Sequence, residues 1–130
     1  MIRLRFNSLA GTDPEILGPA PYFRVEGPLL QQGPHHCVVG RYSDHHWELD
    51  GRYVSSFECA EPVQVRFASA TGGASEVYGP FQQVRFPNGS CYADRQLLAE
   101  LLEDGQWIHR ASQMRWPSLL MMPLEELRER

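Results

Sequence analysis

The sequence predicts a strand-dominated α+β domain: a mainly antiparallel sheet or small sandwich of seven or eight short strands, with one C-terminal helix at about 94–104 and a short terminal helix at about 123–129. Three observations carry this expectation. Apolar and polar residues alternate with period two in several segments, Asp50-Gly51 and Asn88-Gly89 sit between extended runs, and a leucine-rich run follows Asp94.

In residues 2–7, Ile2, Leu4 and Phe6 fall on one side and Arg3, Arg5 and Asn7 on the other, the pattern of a half-buried strand. Gly11, Asp13-Pro14, Gly18-Pro19 and Pro21 then interrupt the chain, so residues 8–21 read as a loop with at most a short turn near 15–17. Alternation resumes over 22–26 and stops at Gly27-Pro28. Residues 37–42 and 46–49 read as neighbouring strands around a turn at Ser43-Asp44. Asp50-Gly51 closes a further hairpin onto 52–57, because both central residues of a type I′ turn need positive φ.

Residues 62–69 supply another strand, with Val63, Val65 and Phe67 on one face and Gln64 and Arg66 on the other. A polar loop at 71–75, a strand at 81–86, the Asn88-Gly89 turn and a return strand at 90–93 follow. Asp94 then reads as an N-cap, Leu97, Leu98, Leu101 and Leu102 follow at helical spacing, and Asp104-Gly105 stops the run. Residues 106–109 return as a strand. After the apolar run at 119–122, Pro123 suits a first helical position, with Glu125 and Glu126 in the positive first turn.

One echo stands out. Gln64-Val65-Arg66-Phe67 recurs as Gln83-Val84-Arg85-Phe86, with Leu4-Arg5-Phe6 a weaker copy. All 12 basic residues are arginine, so any amphipathic strand here tends toward apolar-Arg-apolar, and the surroundings of the copies do not match. The echo is therefore read as strand composition and not as a duplication.

At 130 residues and 42% hydrophobic content the chain is sized for one domain spanning 1–130 with its own core. A net charge of −4 disfavours a general nucleic-acid binder, and the absence of lysine excludes lysine Schiff-base chemistry. The first residues alternate instead of running apolar and no stretch is long enough to cross a bilayer, so a cytoplasmic protein is expected. Three cysteines, Cys37, Cys59 and Cys91, argue for free thiols over a disulfide framework.

His35, His36, Cys37, His45 and His46 carry the donor types that suit zinc. With a hairpin turn at Ser43-Asp44 the two histidine pairs lie on the order of 17 Å apart, at ~3.3 Å per residue, which separates them from one coordination shell. No Gly-x-Ser-x-Gly, phosphate loop or dinucleotide fingerprint occurs, and no cofactor is expected. Arg3, Arg5, Arg24, Arg66 and Arg85 fall on the polar sides of strands. They either form an arginine-lined face for an acidic partner or phosphate, or pair with Glu26, Glu48, Glu58 and Glu61 across the sheet; the second reading is favoured. Trp107, Trp116 and Met121 belong to a C-terminal aromatic and methionine concentration of the kind used at interfaces.

The functional expectation is a non-catalytic intracellular domain that binds a protein partner or itself, through Trp107, Trp116, Met121, Arg66 and Arg85, with neither nucleic acid nor membrane as partner. The alternative is a small metal- or thiol-dependent enzyme built on His35, His36, Cys37, His45 and His46.

Overall fold

The computed structural model describes residues 1–9, 13–69 and 74–124. Its strands are β1 (Ile2–Ser8), β2 (Glu15–Ala20), β3 (Phe23–Glu26), β4 (Leu29–Gln32), β5 (Cys37–Ser43), β6 (His46–Leu49), β7 (Arg52–Cys59) and β8 (Val63–Ala68). They continue with β9 (Ser75–Phe81), β10 (Val84–Pro87), β11 (Ser90–Ala93), β12 (Gln96–Leu101), β13 (Trp107–His109), β14 (Arg115–Trp116) and β15 (Ser118–Pro123). All belong to one sheet, paired in the order β14-β13-β12-β11-β10-β7-β6-β5-β4-β3-β15-β8-β9, while β1 joins β2 to β7. Because β14 runs through Pro117 into β15, a path that leaves by β13 returns by β3, and the sheet curls around its core. No helix among the described residues is long and apolar enough to cross a membrane.

Among the described residues strand makes up 66% and helix 1%, so the α+β class is corrected to all-β. The helix expected at 94–104 is β12. Asp94 and Arg95 both adopt left-handed φ, 49° and 73°, and form a two-residue hairpin from β11 instead of a helix entry. The Asp94 carboxylate is spent on the backbone amides of Gln82 and Gln83, both at 2.9 Å. A helix of this length is marginal on its own. Here β11 and β13 supply ladder partners on both sides, and they decide the conformation. The expected terminal helix fails at its start, since Pro123 ends β15 in register with Val63; residues 125–129 of that expectation lie outside the described residues.

β2 arises where glycine and proline predicted a loop, and β9 where no element was predicted between the loop at 71–75 and the strand at 81–86. β2 and β9 each hydrogen-bond on one side only, to β1 and β8, so Pro19 and Pro80 withhold no ladder donor that a second neighbour would need. Gly18 and Gly79 supply the positive φ, 103° and 118°, that the preceding position takes up. The turn placed at Ser43-Asp44 is Asp44-His45, both left-handed, which sets Ser43 opposite His46.

The strand registers reveal an internal duplication. In the β1·β2 ladder Ile2, Leu4, Arg5 and Phe6 face Ala20, Leu17, Ile16 and Glu15. Shifted from Ile2 to Val63, the same pairs recur in β8·β9: Val63, Val65, Arg66 and Phe67 face Phe81, Tyr78, Val77 and Glu76, with the irregularity at the same place. The correspondence holds through every later ladder. The β4·β5 bulge recurs in β11·β12, the β5·β6 pair Tyr42↔Trp47 recurs as Leu101↔Trp107, and Phe57↔Phe86 between β7 and β10 recurs as Leu119↔Val25 between β15 and β3. Aligned this way, Arg5, Phe6, Glu15, Gly18, Pro19 and Arg24 match Arg66, Phe67, Glu76, Gly79, Pro80 and Arg85.

The echo read as strand composition is thus corrected. Leu4-Arg5-Phe6 corresponds to Val65-Arg66-Phe67, whereas Gln83-Val84-Arg85-Phe86 corresponds to Tyr22-Phe23-Arg24-Val25. The two Gln-Val-Arg-Phe runs are different strands of one repeat, which is why their surroundings disagree.

Each half completes the other. Trp47 Nε1 donates to the carbonyl of Asn88 at 2.8 Å, and the equivalent Trp107 Nε1 donates to the carbonyl of Gly27 at 3.0 Å. Both tryptophans are fully buried, within a core that includes Leu4, Phe23, Leu49, Phe57, Phe67, Phe86, Leu119 and Met121.

Candidate anion-binding site

Two equivalent halves act as controls for each other: where one keeps a pairing and the other drops it, the difference marks a position released from structural duty. On the face turned away from the core, Ile16, Arg5 and Glu58 of the first half continue into Arg85 and Tyr92 of the second, one row across five strands in register. The equivalent second row is Val77, Arg66 and Leu120 of the second half with Arg24 and Gln31 of the first. Both rows place two arginines on either side of one central residue, and only the first places a carboxylate there.

In the first row Glu58 Oε2 accepts from Arg5 Nε at 3.1 Å and Nη2 at 2.7 Å, while Oε1 accepts from Gln83 Nε2 at 3.2 Å. The Arg85 guanidinium lies over the Tyr92 ring, 5.8 Å from its centre. In the second half Leu120 offers no acceptor. Arg66 forms no ion pair among the described residues, and Arg24 reaches only Glu26, at 3.3 Å. Arg24 Nε, Arg66 Nε and Gln31 Oε1 are buried without hydrogen-bond partners. Groups of this kind are rare because each costs about 1–3 kcal/mol, so they need a reason.

The ground around this row is also drier than around its counterpart. Gln64, Ser118 and Met122 are buried, whereas Arg3, Ser56 and Ala60 at the equivalent places are exposed or half-buried. Reduced contact with water strengthens any charge-assisted hydrogen bond made there. Two guanidiniums across ~10 Å of sheet, two inter-strand spacings, can converge on one small anion.

Of the residues singled out from sequence, Arg66 lies in this row and Arg85 in the paired one. Trp107, Trp116 and Met121 lie in the core at 0%, 4% and 0% exposure, so they offer no surface to a partner. His35 and His36 sit in the β4–β5 connection and His45 and His46 at the β5–β6 turn, at opposite ends of β5, with Cys37 exposed at its first residue. His36 Nε2 contacts the Tyr22 hydroxyl at 2.8 Å and His46 Nδ1 the Asp44 carbonyl at 3.0 Å. No group of three metal-ligating side chains forms among the described residues. Cys59 and Cys91 are buried, and burial pushes both thiols well up, which makes poor nucleophiles of them. The sequence places Arg24 on a polar strand face and Leu120 only in the C-terminal apolar concentration; the signal that links them is the alignment of the halves, which sets Leu120 against Glu58.

A second divergence lies on the core side. Leu17, Leu49 and Val54 of the first half are replaced by Tyr78, His109 and Trp116. The Tyr78 hydroxyl donates to Glu76 Oε1 at 2.5 Å, which pushes its pKa up to about 12. His109 is 4% exposed, shares a hydrogen bond with Ser112 Oγ at 2.8 Å and lies 4.4 Å from the Tyr78 ring. Burial holds its imidazole below the usual range, against an opposing pull from the Glu76 charge. The unfolded chain therefore takes up the proton first, and stability falls as pH drops below ~6.5, the unfolded value. Thermal melts between pH 8 and 5.5 should show this loss, and H109L, which restores the first-half residue, should flatten it; an unchanged slope in H109L would assign the effect elsewhere.

Comparison with family models, with curated proteins and with solved structures finds no match.

Proposed function

We propose that the chain is a non-catalytic binding module whose working surface is the Arg66–Leu120–Arg24 row, and whose ligand is a carboxylate on an acidic segment of a partner protein. One observation carries this reading. The equivalent row sets Glu58 between Arg5 and Arg85 in register, with its carboxylate bonded to Arg5, a pairing that the second row lacks at its centre. A glutamate or aspartate delivered by the partner would give Arg24 and Arg66 their missing acceptor, while its methylenes rest on Leu120. Guanidinium is suited to this task because its planar fork matches the two carboxylate oxygens.

The test uses a short peptide with one central glutamate between apolar residues, and its glutamine twin, titrated by calorimetry and by NMR of the arginine Nε–H signals. The glutamate peptide should shift the Arg24 and Arg66 signals and leave Arg5 still. Losing a hydrogen bond to a charged group costs about 1.5–3 kcal/mol, so R66A or R24A should weaken binding roughly 10- to 100-fold, and added salt should weaken it further. Equal affinity for the two peptides, or an unaffected R66A, would overturn the reading.

A further inference from the structure

Glu26 stands beside this row and changes its charge. It lies two residues beyond Arg24 on the same face of β3, with Oε1 3.3 Å from Arg24 Nη2 and 3.5 Å from Gln31 Nε2, and its side chain is 42% exposed. The equivalent residue beside the other row is Pro87, which carries no charge. Two guanidiniums and one carboxylate leave the row one positive charge.

We infer that Glu26 is a specificity-determining residue that fits the site to a monoanionic carboxylate and turns away a phosphate dianion. The inference rests on the carboxylate-binding reading given above. A carboxylate brings one charge and two acceptor oxygens, which Arg66 and the unoccupied part of Arg24 can meet. A phosphate monoester near neutral pH carries close to two charges and a third acceptor oxygen. The donor of Arg24 that would meet that oxygen is already given to Glu26, so the extra charge faces a carboxylate across a partly dried surface. Removing the Glu26 charge leaves two cations for the dianion and replaces a charged acceptor on Arg24 by a neutral one that a phosphate oxygen can displace.

The full chain, E26Q and R66A are each titrated at pH 7.5 with two otherwise identical peptides, one carrying the central glutamate and one a phosphoserine. The wild-type chain should prefer the glutamate peptide by about 10-fold or more, and E26Q should gain roughly 10-fold or more for the phosphoserine peptide but no more than about threefold for the glutamate peptide. E26Q changes one half-exposed side chain without changing its shape, and circular dichroism confirms that it folds. If E26Q moves both affinities by the same factor, or the wild-type chain prefers phosphoserine, the role of Glu26 is overturned while the arginine row stands. If the wild-type chain binds neither peptide, or R66A binds both as well as wild type, the row itself is not the site and the inference falls with it.

Discussion

Trp107→Ala should cost about 4 kcal/mol of stability, the range for deleting a large buried aromatic, and Trp47→Ala should cost nearly the same. Each indole fills space in a core that both halves share and satisfies a turn carbonyl of the opposite half, at Gly27 for Trp107 and Asn88 for Trp47. Truncation leaves a cavity and also an acceptor without its donor. The loss is a large part of the 5–15 kcal/mol that holds a typical domain together. Since the bonds cross between halves, each substitution should loosen the whole sheet in one transition. Urea unfolding followed by far-UV circular dichroism checks this: both variants should show lower midpoints and single transitions. A second transition in either variant would mean that the halves hold themselves up separately.

Leu120→Glu should close the candidate site from within. It places a carboxylate between Arg24 and Arg66, where Glu58 stands between Arg5 and Arg85. Charge-assisted hydrogen bonds of about 1.5–3 kcal/mol outweigh the roughly 1 kcal/mol lost with a half-buried leucine, so stability should rise by about 1 kcal/mol. Binding of the glutamate peptide should fall about 30-fold or more, because the ligand must now displace a tethered competitor. A thermal melt and a peptide titration on the same sample read the two effects together. Glu58→Leu offers the mirror image: it strips Arg5 of its acceptor and leaves Arg5 and Arg85 flanking a leucine, should destabilise the chain, and should create a second peptide site. If L120E lowers stability and leaves peptide binding intact, the two rows are not equivalent in the sense argued.

The residues that were readable in advance are those whose environment is set by their near neighbours along the chain. Ile2, Leu4 and Phe6 alternate with arginine and asparagine because one face of β1 is buried, and Asp50-Gly51 forms its hairpin because left-handed φ is cheap there. Leu97, Leu98, Leu101 and Leu102 misled because the run satisfies both a helical stripe and a strand, and nothing local chooses between them. Its counterpart Cys37–Ser43, with Val38 and Val39, reads as a strand at once. Comparing the halves at the correct offset would have corrected the reading of residues 94–104 and exposed the Glu58 to Leu120 change. The matched residues are sparse, and the conspicuous Gln-Val-Arg-Phe echo pointed to the wrong offset.

By itself the sequence determined that the chain is built of short amphipathic strands joined by tight turns, that its basic residues are all arginine, and that four of its five histidines fall into two separated pairs. Those properties follow from alternation, turn chemistry and composition, which act over a few residues. Tertiary structure alone decided that Gly-Pro segments become edge strands, that the leucine run joins the sheet, and that Trp107 and Met121 turn inward. It also decided which residue stands between which arginines. The neighbour of a strand residue is supplied by another strand, often more than fifty positions away, as with Arg5 and Glu58 or Arg66 and Leu120. Cross-strand register, which no local pattern encodes, sets two similar pairs of arginines around a glutamate in one ladder and around a leucine in the other.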